Sequence, residues 1–373
     1  MPCLNEAETI ASCITKAQTF MSQHNIKGEV VIGDNGSIDG SQAIATKLGA
    51  VVVHVENKGY GSASIGAIEQ ARGKFIITAD TDDSHDILNL MPFVEQLRNG
   101  YDLVMGNRFK GDKQKDAMPF LHRYVGNPLL TFVGNLFFKT SIGDFHCGLR
   151  GFTKEAFYKM NLKTTGMEFA SEIVVKASLL KLKITEVPTV VFPAGRSRKP
   201  HLKTFPDGWR HLRFLLLYSP KWLFFIPGII LMIIGVIVSI SLAFKSEVVE
   251  NTAFDFHTLL YALSFVLIGF QFIIFYALTK IFAVEQGLLP KSTRYNKLFD
   301  YINLEKGLIT GVLLLILGCI LSYYGLTWDA DGHALRPSDT FRIIIPAVFT
   351  VLLGVQIILF SLFFSILGLR NKP

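Results

Sequence analysis

Four apolar stretches, near residues 222–244, 257–280, 307–326 and 343–368, constrain this chain more than any other feature of its sequence. Each is about 20 residues or longer, enough helix to cross a hydrocarbon core. A backbone in lipid must satisfy its own hydrogen bonds, so four transmembrane helices are expected. Mean hydropathy is +0.38, yet residues 1 to about 215 read as a water-soluble domain. Lys280, near an end, is the one Asp, Glu, Lys or Arg within the four stretches. Ion-coupled transporters usually keep ionisable groups at membrane depth, so these spans read as anchors. Gly235, Gly269, Gly311, Gly318 and Gly354 permit close helix contact, within the chain or in a homo-oligomer. Lys291, Arg294, Lys297 and Lys306 in the middle loop and Arg370 and Lys372 in the tail set the orientation. They put those segments and the N-terminal domain on the cytoplasmic side of the cell's inner membrane.

Between Gly195 and Lys221 seven basic residues meet a single acid, Asp207, so this stretch holds most of the net charge of +7. Its position beside a membrane span suits anionic head groups or a phosphorylated substrate and argues against nucleic acid. Three parts follow: an α/β domain over 1–204, a basic amphipathic juxtamembrane helix over 205–221 and a membrane domain over 222–373. Cys3, Cys13, Cys147 and Cys319 form no CxxC pair and read as reduced thiols.

Within the first part, strand-like runs at 28–33, 50–55, 74–79, 102–106 and 184–192 alternate with helix-like runs at 5–20, 41–48, 87–97, 119–139 and 167–182. That order predicts a mostly parallel, Rossmann-like sheet. No apolar strand precedes Pro2, so the sheet is expected to lack its first element. The run at 74–79 ends in Asp80-Thr81-Asp82-Asp83-Ser84-His85, at a strand end where such folds place ligands. Asp80 and Asp82 are two apart, and an extended backbone points both the same way. Paired carboxylates repel unless a cation lies between them, and hard oxygen ligands suit Mg²⁺ or Mn²⁺ shared with substrate phosphates. The competing reading is an acidic turn that caps the next helix. Asn57-Lys58-Gly59-Tyr60-Gly61 leads into a helix and can offer backbone N–H groups to phosphate, although tight packing explains it equally well.

Five ordered motifs carry a resemblance. They are Pro2-Cys3-Leu4-Asn5-Glu6, Asp34-Asn35-Gly36-Ser37-Ile38-Asp39-Gly40, Asp80-Thr81-Asp82, Gly106-Asn107-Arg108-Phe109, and Asp144 followed by Gly148-Leu149-Arg150-Gly151-Phe152. Together they resemble the family-two glycosyltransferases of GT-A fold, and more narrowly the polyprenyl-phosphate glycosyltransferases related to dolichol-phosphate mannose synthase. The resemblance implies inverting transfer of a sugar from a UDP- or GDP-linked donor to a polyprenyl phosphate, with undecaprenyl phosphate the expected acceptor. It implies that Pro2, Asn5, Glu6 and Asp34 face the nucleoside and that Asp80 and Asp82 hold metal and diphosphate. Ser84 stands where relatives often have a glutamine facing the metal. Arg108 and Arg123 fall near the acceptor phosphate, and Arg196, Arg198 and Lys199 in a basic loop over the donor diphosphate.

The acceptor is itself a phosphate, largely a dianion above a second pKa of about 6, so no general base is obligatory. That makes Asp144 and Glu168 weaker candidates for a catalytic role, and Asp144 reads equally as a catalytic residue or as an ion-pair partner that orients Arg108 or Arg150. A processive polysaccharide synthase would carry Gln-x-x-Arg-Trp near the membrane, where this chain has Gly208-Trp209-Arg210-His211. A non-catalytic assembly or lipid-translocating protein would not need Asp80, Asp82 and Arg108 intact. A soluble dinucleotide enzyme would need a third glycine after Gly59 and Gly61.

Overall fold

The computed structural model describes residues 1–111, 119–197, 204–243, 247–249, 252–285, 289, 304–327 and 337–369. The chain divides into two compact units, Met1–Ser219 and Pro220–Pro373.

In the first unit, β1 (Pro2–Cys3), β2 (Val31–Asp34) and β3 (Val51–His54) form a parallel sheet in that order. A second sheet runs β4 (Phe75–Thr78), β6 (Arg150–Thr153), β5 (Leu103–Asn107), β7 (Ile184–Pro188). There β5 and β7 pair in parallel, and β6 is antiparallel to both of its neighbours. Helices α1 (Ile10–Gln23), α2 (Ser41–Lys47), α3 (Tyr60–Gln70), α4 (Met91–Arg98), α5 (Asn127–Phe138), α6 (Lys154–Met160), α7 (Phe169–Leu179) and α8 (Thr204–Leu217) surround the strands. Successive side chains of a strand point to opposite faces, and both faces are covered here. Ile32 and Val104 pack in one core with residues of α1 and α4, whereas Val31, Leu103 and Met105 pack in another with residues of α3 and α7. On α1, Ile10, Cys13, Ile14, Ala17 and Phe20 recur every three or four residues, and all are buried. This is the expected GT-A architecture.

Several local expectations need correction. Pro2–Cys3 occupies the first strand's place, in register with Gly33 and Asp34, so the sheet keeps the element thought missing. The helix after the acidic turn starts at Met91 rather than Ile87, with Pro92 in its first turn. Ile87 and Leu90 are buried anchors of the preceding loop. Neither β6 nor α6 was anticipated. Residues 119–139 are not one α-helix: a π-helical turn, His122–Gly126, precedes α5. Pro128 lacks an N–H to close an ordinary helical turn, which accounts for the wider one before it. The same device, a π-helical turn Lys221–Phe225 ahead of Pro227, opens the second unit. Helix α8 packs on α5 and α7, with Phe214 and Leu215 in the first unit's core.

The second unit contains α9 (Ile226–Ala243), a hairpin of β8 (Glu247–Val249) and β9 (Thr252–Phe254), α10 (Phe256–Glu285), α11 (Leu304–Thr327) and α12 (Pro337–Leu369). Lys221–Leu242, Phe256–Glu285, Leu304–Gly325 and Thr340–Leu367 are long and apolar enough to cross a membrane. The glycines serve helix packing inside the chain. A Cβ on Gly269 would meet the Gly228 carbonyl of α9, and one on Gly311 the Gly354 carbonyl of α12. Arg342 of α12 pairs with Asp255, just ahead of α10, at 2.7 Å. Lys291, Arg294, Lys297, Arg370 and Lys372, the charges expected to set the orientation, lie outside the described residues, as does Lys199.

Candidate active site

Strand β4 delivers the acids into a turn rather than along an extended strand, and α1 and β1 hold that turn in place. The Thr9 hydroxyl donates to the Thr81 carbonyl at 2.6 Å, and the Thr81 hydroxyl to the Pro2 carbonyl at 2.9 Å. Asp83 adopts φ of +61° and swings away from the other two acids. It takes Lys16 Nζ at 2.7 Å and Ser12 Oγ at 2.9 Å, which makes it an anchor to α1.

Asp80 is gripped on both oxygens. Tyr60 Oη donates to Oδ1 at 2.8 Å, and His85 Nε2 lies 3.1 Å from Oδ2. Burial alone would raise this carboxyl's pKa, but His85, Tyr60 and Arg150 hold it well below the usual carboxylate range. Gly148 packs flush against the pair; any side chain there would collide with Asp80 Oδ2 and His85 Nε2. Asp82 Oδ1 accepts from Ser84 Oγ at 2.6 Å, and its Oδ2 lies 3.2 Å from Arg196 Nη2. Arg196 also reaches Glu6 Oε1 at 2.6 Å, so one guanidinium bridges two carboxylates.

The ends of β1 and β2 carry the other expected nucleotide residues. Asn5, at φ of +56°, accepts from the Ile38 amide at 2.9 Å through its side-chain oxygen. The Glu6 amide donates to Ser41 Oγ at 2.9 Å. Asp34 is buried and accepts from the Gly36 amide at 2.9 Å and Gln42 Nε2 at 2.6 Å. Burial works to raise its pKa, and hydrogen bonds from Ser37, Gly36 and Gln42 outweigh that and lower it.

A second constellation follows β5. Arg108 donates through Nε and Nη2 to the fully buried Asp144, at 2.6 and 2.9 Å. Burial would lower the arginine's pKa, but Asp144 more than offsets it, and the guanidinium stays charged. This bidentate geometry favours the orienting reading of Asp144. Arg150 is occupied by the carbonyls of Cys147, Ala170 and Phe145. His146 and His211 share the Ser171 hydroxyl, at 3.1 and 2.9 Å. One Glu168 carboxylate oxygen is buried without a partner among the described residues.

The structure thus gathers Pro2, Glu6, Asp82, Ser84 and Arg196 around the acidic turn, with Asp80 in the same turn, Asn5 just after β1 and Asp34 at the end of β2. Among the described residues Arg123 joins neither constellation by a hydrogen bond; it lies on the π-helical turn with its guanidinium 5.3 Å from the Tyr124 ring. Arg198 lies outside the described residues. Tyr60, Gly148 and Gln42 carried no site role in the sequence reading. A cavity of about 300 Å³ beside Lys74, Phe75 and Asp102 opens at the opposite ends of β4 and β5, away from these acids.

Two carboxylates suit a divalent cation by donor chemistry. Asp80 and Asp82 present hard anionic oxygens, and each carboxylate keeps lone pairs beyond the donors it already accepts. No group of three or more His, Cys, Asp or Glu forms a closed metal cage among the described residues. Two acids supply only part of a ligand set, so a Mg²⁺ or Mn²⁺ ion on this pair would be completed by substrate phosphates.

Residues 1–160 match the family described as glycosyl transferase family 2, and residues 277–368 match the glycosyltransferase family 2 C-terminal transmembrane region. The chain is 36% identical to the low-salt glycan biosynthesis hexosyltransferase Agl6 of Haloferax volcanii, over 99% of this chain and 88% of that protein. Glycosyltransferase AglJ of the same organism is 32% identical over 58% of this chain and 69% of its own. Its dolichyl-phosphate hexose transferase is 29% identical over 49% of this chain and 77% of its own.

Proposed function

The chain belongs to glycosyltransferase family 2 as a membrane enzyme related to dolichyl-phosphate sugar transferases, and from that premise we propose that it moves one sugar from a nucleotide sugar to a polyprenyl phosphate with inversion. The observation that carries this reading is Arg196, held between Glu6 and Asp82 beside Asp80. An arginine fork matches a diphosphate as well as it matches carboxylates, so the donor's diphosphate can take its place in this bridge.

Asp34, Asn5 and Glu6 shape the wall that receives the base and ribose. Asp80, Asp82 and Ser84 face the diphosphate, and the two aspartates are the residues that would hold Mg²⁺ or Mn²⁺. A bound divalent ion there would neutralise charge growing on the leaving nucleoside diphosphate. Arg196 adds a preorganised donor to the same oxygens, and Arg198 is assigned to the same basic loop. Asp144 orients Arg108, and Arg108 and Arg123 receive the acceptor phosphate.

The nucleophile is a phosphate oxygen of the lipid. It forms the new bond to the sugar's anomeric carbon as the bond to the donor's β-phosphate oxygen breaks, through an oxocarbenium-like state. The dianionic phosphate has no proton to lose, so the protein's work is alignment and charge stabilisation. Exposed Phe132 on α5 and exposed Phe205 and Trp209 on α8 support a soluble unit that rests at the lipid surface. We assign that unit to the cytoplasmic face of the cell membrane, where the donor is available, and the product to envelope glycan or glycoprotein assembly.

The test is transfer by the purified full-length protein in lipid. It uses Mg²⁺ or Mn²⁺, undecaprenyl or dolichyl phosphate, and a panel of radiolabelled UDP- and GDP-sugars. A labelled organic-phase product that disappears with EDTA is expected. A folded protein that yields no lipid-linked product from any donor would overturn the reading in favour of a non-catalytic domain.

A further inference from the structure

Asp80 Oδ1 is held by a phenol from a different element, the first residue of α3. Tyr60 sits between two glycines that cannot be replaced without collision. A Cβ on Gly59, whose φ is +130°, would run into the Thr165 carbonyl, and one on Gly61 into the Thr164 carbonyl. The start of α3 is therefore seated directly on the 161–166 loop, and the Ser62 amide donates to the Thr165 carbonyl at 3.2 Å. That loop is itself braced. The buried Glu172 carboxylate accepts from the Lys163 amide at 3.0 Å and from the Thr164 amide and hydroxyl at 2.8 and 2.7 Å. Buried Lys176 pairs with Glu172 at 2.8 Å and donates to the Asn161 carbonyl at 2.6 Å. The Phe169 ring meets the Tyr60 ring edge-on, with centroids 6.2 Å apart. A buried ion pair costs desolvation and is weak evidence of stability by itself. Here it fixes the loop against which the Tyr60 backbone rests.

We propose that Tyr60 is a positioning residue that sets the Asp80 carboxylate for the donor's metal–diphosphate, and that Glu172 braces Tyr60 through the 161–166 loop. The inference rests on the donor-site reading above. His85 holds Oδ2 and Tyr60 holds Oδ1, so the carboxylate plane is fixed from both sides. A phenol is protonated at neutral pH, so Tyr60 stands as a hydrogen-bond donor to Asp80 at 2.8 Å. Partners that orient a metal's ligands typically control affinity by about 10–100-fold.

The experiment measures Mn²⁺ affinity of the full-length protein by electron paramagnetic resonance, with UDP and separately with GDP, alongside thermal melting. Tyr60→Phe keeps the ring and removes only the hydroxyl. It is expected to weaken Mn²⁺ binding by about 10–100-fold while melting and acceptor KM stay near wild type. Glu172→Gln is expected to weaken Mn²⁺ binding in the same direction, with no further loss in the double variant, because both act through one hydroxyl. Wild-type Mn²⁺ affinity in Tyr60→Phe would overturn the proposal. Additive losses in the double variant would overturn the part assigned to Glu172. Wild-type protein that binds no Mn²⁺ with either diphosphate would instead overturn the metal assignment, and the Tyr60 role with it.

Discussion

Replacing Asp144 by asparagine separates its two readings. The carboxylate is fully buried and takes two bonds from the Arg108 side chain, at 2.6 and 2.9 Å. Asparagine keeps the shape, removes the charge and turns one acceptor into an NH₂ group facing a guanidinium. The arginine is itself only 15% exposed, so its charge cannot be recovered by water. Removing one partner of such a pair costs about 3–5 kcal/mol. For a folding unit of 150–250 residues each kcal/mol moves the midpoint by about 2–4 °C, so Asp144→Asn should melt about 6–20 °C lower. The apolar pair Asp144→Leu with Arg108→Met should regain most of that stability but not transfer. Thermal melting of the first unit's signal in lipid nanodiscs, with transfer measured in parallel, reads both. An Asp144→Asn protein that melts like wild type and has still lost transfer would refute the orienting role and place the carboxylate on the reacting atoms.

Asp82→Ala should abolish transfer with folding and membrane insertion intact, since its bonds run to Ser84 and Arg196 at the site rather than into the core; normal turnover would remove the aspartate pair from the mechanism. Arg123→Ala should raise the KM for the lipid phosphate more than that for the donor, and unchanged acceptor kinetics would return Arg123 to a surface charge. Acid should loosen the packing of α8. Burial depresses His211 from 6.5 to about 4, so between those values the unfolded chain binds a proton that the folded one refuses, and stability falls as pH falls through that window. The shift corresponds to about 3 kcal/mol, with neutral His146 adding in the same direction. Melting of His211→Asn should therefore respond less to pH between 6.5 and 4, and an unchanged pH response would refute the assignment.

Which features were legible in the sequence follows from the range of the interactions involved. The spans were readable because length and apolar composition are local properties. Asp80, Asp82 and Arg108 were readable because each follows an apolar strand by a few residues. The contacts that give the site its shape were not. Tyr60 meets Asp80 across 20 positions, and Arg196 meets Glu6 across 190. Neither contact has a periodicity to betray it. Strand β6 is four residues with a glycine in the middle, and it exists because β4 and β5 flank it. The turn placed Ile87 and Leu90 in the core ahead of the helix, where an apolar run looks the same whether it is coil or helix. Asp83 shows the reverse difficulty. It looked equivalent to its neighbours, and one left-handed φ sends it to Lys16 instead.

The most direct measurement of the central claim is the structure of the lipid product by NMR and mass spectrometry, using the donor identified in the transfer panel. The account predicts a single sugar on each polyprenyl phosphate, linked with the anomeric configuration opposite to that of the donor. Retained configuration would contradict the single displacement by a phosphate oxygen, and a chain of several sugars would point instead to a processive synthase.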